Sequence, residues 1–160
     1  MALQKGDVAP DFTLLHKGSD GLSKVTLSDH RGETVILLFF PIAGTGVCTK
    51  EMCMVTEDWA AYTATGAKVF AISVDNPFAQ EIWAGANGIS VPLLSDFNND
   101  AIDAYGINDD DFALDGIVQQ GIAKRSAFVI DADGVVQHAE VLENPGELPD
   151  LAKVKAAVAE

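Results

Sequence analysis

Residues 35–40 of this chain read VILLFF, six apolar residues in a row, and Pro41 follows them at once. A strand with one wet face alternates apolar and polar positions. This one has no polar position to turn toward water, so layers must cover it on both sides. It is far short of the roughly 20 residues that a membrane span needs. A central strand of an α/β sheet is what remains. The stretch 67–75, AKVFAISVD, is a second strand of the same kind. Between the two, Thr45 is placed to cap a helix running from Val47 to about Ala64, with Gly66 as its stop. Strand, helix and strand in that order predict a parallel pair joined by a crossover.

The flanks extend the sheet. FTLLH and KVTLSDH around the turn GSDG predict an N-terminal β-hairpin. Pro77 opens a helix through Ala86, which Asn87 and Gly88 end. VPLLSDF reads as a short strand and NNDAIDAYG as a short helix, while NDDDFALDGIVQQG has no clear period and reads as a loop with a strand fragment. RSAFVID, the turn DADG and VVQHAEVL predict a second hairpin, and Leu148 to Ala159 an amphipathic closing helix. No repeat or linker interrupts the chain, so residues 1–160 are expected to form one α/β domain: a mixed central sheet with helices on both faces. The thioredoxin fold has this order, as do other doubly wound arrangements.

Cys48 and Cys53 are the only cysteines, and they lie just past the first buried strand in PIAGTGVCTKEMC. Core fillers, metal ligands and a redox pair are the three readings. Hydrophobic residues make up 48% of the chain, enough for a core that needs no disulfide staple. The C-x4-C spacing is not that of a zinc knuckle, and His16, His30 and His138 are scattered with no partner at ligand spacing. Asp109, Asp110 and Asp111 lack the glycine and distal glutamate of a calcium loop. No metal or cofactor is therefore expected. Cys48 falls in the first turn of a helix at the carboxyl end of a strand, where open α/β sheets place ligands. Unpaired N–H groups and the helix dipole favour a thiolate there, the form that attacks sulfur or an electrophilic oxygen. Pro41 and Gly44 set a sharp approach to that turn.

These residues resemble a known family. Pro41, Thr45 and Cys48 match the peroxiredoxin motif P-x-x-x-T/S-x-x-C, and Glu51 the acidic position three residues beyond it. APDFTL at residues 9–14 is similar to the family's N-terminal segment, the run to Pro41 to its pre-cysteine strand, and FAQEIWAGANGISVPLLSDF to its middle region. RSAFVID supplies Arg125 where the family carries a second active-site arginine. The likeness covers nearly the whole chain and implies the thioredoxin-like fold. It implies that Cys48 is the peroxidatic cysteine, attacking a hydroperoxide to give a sulfenic acid and water or an alcohol. Arg125 is then expected to hold the thiolate and peroxide, Thr45 to complete the site, Pro41 to shield it and Glu51 to orient the arginine.

A spacing of five to Cys53 matches the bacterioferritin-comigratory, or Q-type, branch, where the second cysteine resolves the sulfenic acid as an intramolecular disulfide. On a straight helix residues five apart lie roughly 8.7 Å apart at Cα. A disulfide needs about 7 Å or less. Local unwinding of the helix is therefore expected. The alternatives are a one-cysteine enzyme resolved by an external thiol, with Cys53 facing the core, and a redox-sensing or holdase-like protein in which Cys48 is only a switch. A thioredoxin-type C-x-x-C is absent, which disfavours a disulfide reductase. Gly44 and Gly46 flank Thr45 where many relatives are bulkier. Trp83 resembles an aromatic near the family's site.

Partners follow from the likeness and the charge. A peroxide substrate and thioredoxin or a similar dithiol reductant are implied. The net charge of −14, ten Lys and Arg against 24 Asp and Glu, repels nucleic acid and anionic membrane alike. The N-terminus lacks the charged-then-apolar layout of a secretory signal, so a cytoplasmic protein is expected. Without the C-terminal arm and its cysteine seen in the typical two-cysteine branch, a monomer or weak dimer is expected.

Overall fold

The computed structural model describes residues 2–158. The N-terminal hairpin pairs β1 (Thr13–Gly18) with β2 (Gly21–Thr26), Thr13 opposite Thr26. A 3-10 turn, Leu27–His30, leads to β3 (Val35–Phe39), the VILLF of the opening run. Then come α1 (Gly46–Glu57), α2 (Trp59–Ala64), β4 (Lys68–Ser73), α3 (Pro77–Asn87), β5 (Leu93–Ser95) and α4 (Asp100–Ala104). Four short strands follow: β6 (Asn108–Asp109), β7 (Phe112–Leu114), β8 (Ile117–Gln119) and β9 (Ile122–Ala123). β10 (Ser126–Ile130), β11 (Val136–Val141) and α5 (Leu151–Val158) complete the described chain.

Seven strands form one mixed sheet in the order β11-β10-β3-β4-β5-β1-β2. β3, β4 and β5 are parallel, while β10 and β1 join their two sides antiparallel. Every residue of β3 is buried, and alternate residues serve different cores. Leu37 and Phe39 pack with Phe128, Tyr105 and Ile102 on one face; Ile36, Leu38 and Phe40 pack with Cys48, Met52 and Trp83 on the other. That two-sided burial is why the run needs no polar position. Each such side chain contributes roughly 1.5–3 kcal/mol of burial free energy. The result is the α/β, thioredoxin-like architecture with an N-terminal hairpin extension.

Three local expectations need correction. The helix of the cysteines does not run unbroken to Ala64: Asp58, at φ −100° and ψ 17°, separates α1 from α2. The stretch 108–121 is not a loop with one fragment: together with Ile122–Ala123 it forms two small ladders, β6 with β9 and β7 with β8. Asp115 and Gly116 make the β7–β8 turn, both at positive φ, and Asp-Gly is a strong two-residue hairpin signal. The closing helix begins at Leu151, three residues late, because Pro149 precedes a cap in which Asp150 accepts the Lys153 N–H. Its expected end at Ala159 lies outside the described residues. The helix from Pro77 agrees with expectation: Asn76 accepts the Ala79 N–H, and Gly88 ends it at φ 62°.

Candidate active site

Topology brings together residues that are far apart in sequence. Six residues separate the end of β3 from the start of α1, so Cys48 sits over the carboxyl end of that strand. β10 runs antiparallel to β3, with Ser126 opposite Phe39. The residue just before β10 is Arg125, and the antiparallel register delivers it to the same end of the sheet. Leu142, past the end of β11, donates its N–H to the Arg125 carbonyl and holds the arginine backbone from the other side.

Cys48 and Glu51 are one helical turn apart, so both face Arg125. All three side chains are buried. Arg125 Nη2 lies 3.2 Å from Cys48 Sγ and donates to the Pro145 carbonyl at 3.1 Å; Nη1 donates to Glu51 Oε1 at 2.7 Å. The guanidinium fork thus spans the thiol and the carboxylate. Burial pushes the Glu51 carboxyl up to about 7, opposed by the charge and hydrogen bond of Arg125. Its Oε2 is buried with no hydrogen-bond partner among the described residues, which leaves half the carboxylate uncompensated.

Thr45 occupies the N-cap position of α1, but its side chain makes no capping bond, contrary to the sequence expectation. Its hydroxyl donates instead to the Ile42 carbonyl at 3.0 Å, so the oxygen keeps its lone pairs for another donor. Pro41 is buried at the strand exit. Gly44, at φ 94°, makes the turn that a side chain would strain. Cys53 stands apart from the cluster. It is half-buried, about 140° around the helix from Cys48, with Sγ 4.0 Å from the Asn87 carbonyl oxygen. Both cysteines are free thiols.

Sequence reasoning missed Asp75. Its Oδ2 accepts the Ala43 N–H and the Ser73 hydroxyl, each at 2.7 Å, and so ties the Pro41–Thr45 loop to the end of β4. Parallel β4 ends beside β3, and the Ser-Val-Asp at that end was the available signal. Pro145, a carbonyl partner of Arg125, carried none. Two cavities of about 470 and 510 Å³ lie elsewhere, one between the β1–β2 hairpin and α3, the other beside Trp59 and Phe70. Neither is lined by Cys48, Thr45 or Arg125, and the Cys48 thiol is itself fully buried. Among the described residues no His, Cys, Asp and Glu side chains gather to hold a metal ion, and no helix is long and apolar enough to cross a membrane.

Residues 5–139 match the AhpC/TSA family. Alkyl hydroperoxide reductase E of Mycobacterium tuberculosis is 37% identical over 151 residues, covering 92% of this chain and 91% of that one. Peroxiredoxin-2 of Mus musculus is 32% identical over 149 residues, covering 89% and 71%. Among solved structures, peroxidoxin BcpB from Mycobacterium tuberculosis superposes with a TM-score of 0.80 at 28% identity, covering 98% of this chain and 97% of that one.

Proposed function

The chain belongs to the AhpC/TSA family of peroxiredoxins, in its bacterioferritin-comigratory branch, and is a thiol peroxidase; within that activity we propose a two-cysteine cycle run by Cys48 and Cys53. The observation that carries the peroxidatic half is Arg125 Nη2 at 3.2 Å from a buried Cys48 Sγ. A buried thiolate needs a compensating cation, and Arg125 is the one in contact with it.

In the first step the Cys48 thiolate attacks the nearer peroxide oxygen. An S–O bond forms, the O–O bond breaks, and the sulfur is oxidised to the sulfenic acid. The leaving oxygen takes a proton and departs as water or an alcohol. Charge builds on both oxygens as their bond breaks, and Arg125 and the first-turn N–H groups are donors for it. The Thr45 oxygen, its own proton turned to Ile42, accepts the O–H of the peroxide. Pro41 keeps water from the sulfur, and Glu51 holds the guanidinium fork in line. The reaction needs only the two-atom peroxide group at the buried Cys48 sulfur, which hydrogen peroxide and organic hydroperoxides share.

In the second step Cys53 attacks the Cys48 sulfur. An S–S bond forms, the S–O bond breaks, and hydroxide leaves as water. The 140° between the thiols requires α1 to open first. A thioredoxin-like dithiol then reduces the disulfide and is itself oxidised, which places the protein in a reducing compartment such as the cytoplasm. Consumption of hydrogen peroxide with a thioredoxin system tests the cycle. Wild type turns over, Cys48→Ser does not, and Cys53→Ser stalls after one equivalent unless a small external thiol is supplied. Undiminished turnover in Cys48→Ser rejects the peroxidatic role. Undiminished turnover in Cys53→Ser, with thioredoxin as the sole reductant, rejects the resolving role.

A further inference from the structure

One stripe of α1 is polar where it meets α3. Thr49, Cys53 and Thr56 follow one another at i, i+4 and i+7, which puts them on a single face of the helix. Each meets a partner from α3 or the segment after it. Trp83 Nε1 donates to Thr49 Oγ1 at 3.1 Å, Cys53 Sγ lies 4.0 Å from the Asn87 carbonyl oxygen, and Ser90 donates its N–H to Thr56 Oγ1 at 3.0 Å. Thr49 also donates to the Thr45 carbonyl at 2.8 Å, within the turn that carries Cys48. Asn87 Nδ2 donates to the Trp83 carbonyl at 2.9 Å, which fixes two of the three partners to each other. Trp83 is itself held against Phe40, with ring centroids 5.3 Å apart.

A second stripe of α1 (Cys48, Met52 and Val55), about 100° around the helix from the first, is buried in the core. Opening α1 therefore breaks two different attachments, an apolar one to the sheet and a polar one to α3. The polar one contains Cys53 and grips the residue next to Cys48. We propose that Trp83, Asn87 and Ser90 act as a clamp on Thr49, Cys53 and Thr56 that sets how often the cysteine helix opens, with the Trp83–Thr49 bond as its catalytic-end contact. Thr49 and Trp83 are in this sense positioning residues.

The consequence rests on the reading of Cys53 as the resolving thiol. While α1 stays closed, the Cys48 sulfenate remains in the peroxide site. A second peroxide can then transfer an oxygen to it, giving the sulfinate and a molecule of water or alcohol. When α1 opens, Cys53 captures the same sulfur as a disulfide. The clamp thus divides sulfenate between disulfide and sulfinate, and loosening it favours the disulfide.

Hydrogen exchange of the amides of residues 50–56 in the reduced full-length protein tests the clamp, with the β3 amides as an internal reference for global opening. A single hydrogen bond of ordinary net strength corresponds to about fivefold in an opening equilibrium. Thr49→Val is expected to speed α1 exchange about fivefold relative to β3, and Thr49→Ser, which restores the hydroxyl, to match wild type. Trp83→Phe cuts the same bond from the other side, so the double variant is expected to exceed neither single one greatly. Unchanged exchange in Thr49→Val, an equal rise in Thr49→Ser, an equal rise in β3, or fully additive singles overturns the proposal. With hydrogen peroxide as oxidant, Thr49→Val should need about five times more peroxide for half-conversion of Cys48 to sulfinate; an unchanged dose in a variant whose α1 opens faster overturns the division of sulfenate. A wild-type chain that forms no Cys48–Cys53 disulfide removes the resolving role, and the exchange comparison then decides the clamp alone.

Discussion

Arg125 makes the site by satisfying three acceptors at once: the Cys48 sulfur, the Glu51 carboxylate and the Pro145 carbonyl. Lysine carries the same charge but not the fork, so Arg125→Lys and Arg125→Ala should both slow the reaction of Cys48 with hydrogen peroxide, the alanine by about 10²–10³-fold. Stopped-flow measurement of the second-order rate constant checks this. Glu51 adds a pH dependence. Burial lifts its carboxyl to about 7, so as pH falls through that value it takes a proton and Arg125 loses its anionic partner. A limb of the pH–rate profile near 7, falling toward acid, is expected in wild type and absent in Glu51→Gln. The linkage to stability has the opposite slope. A carboxyl raised above its unfolded value of 4.5 contributes stability that is fully present below 4.5 and lost as pH rises through about 7. The urea midpoint of Glu51→Gln relative to wild type should therefore rise between pH 4.5 and 8.

Among the elements, the loop from Pro41 to Thr45 is held by a bond that its own sequence does not announce. Asp75 takes the Ala43 N–H from across the ends of two parallel strands. Asp75→Ala leaves that donor unpaired and lets the loop drift, with an expected fall of about tenfold in the peroxide rate constant and a small change in urea midpoint. How far the elements could be read from the chain depended on whether their cause was local. VILLF, Pro77 and Gly88 announce themselves by pattern, helix start and stop, and the structure has them at those positions. Cys48 and Thr45 were visible through their place at the start of a helix, and Glu51 through the resemblance to the family motif. Arg125 was visible only by resemblance, because an arginine before a strand has no local mark; the antiparallel register of β10 on β3 supplies its reason. Asp75 and Pro145 act through tertiary contacts alone. The β7–β8 hairpin was missed despite its Asp-Gly turn, because short strands with mostly exposed side chains carry no strong period. The break at Asp58 was missed because no glycine or proline marks it.

The whole molecule sets a buried catalytic pair inside a chain of net charge −14. The two cores on either side of β3 and β10 carry the stability, while the acidic surface works against compactness through self-repulsion. Screening that repulsion should raise the urea midpoint as sodium chloride goes from low concentration to about 1 M, where charges more than about 3 Å apart are shielded. The peroxidatic chemistry rests on contacts that bulk salt screens far less. The mass of the reduced protein after one equivalent of hydrogen peroxide, followed in time without added reductant, probes that chemistry without any partner. The expected record is the gain of one oxygen at Cys48, followed by loss of water to a species two hydrogens lighter than the reduced chain, with Cys48 linked to Cys53. A chain whose mass does not change, and whose two thiols still titrate after the peroxide has been offered, would contradict the mechanism at its first step.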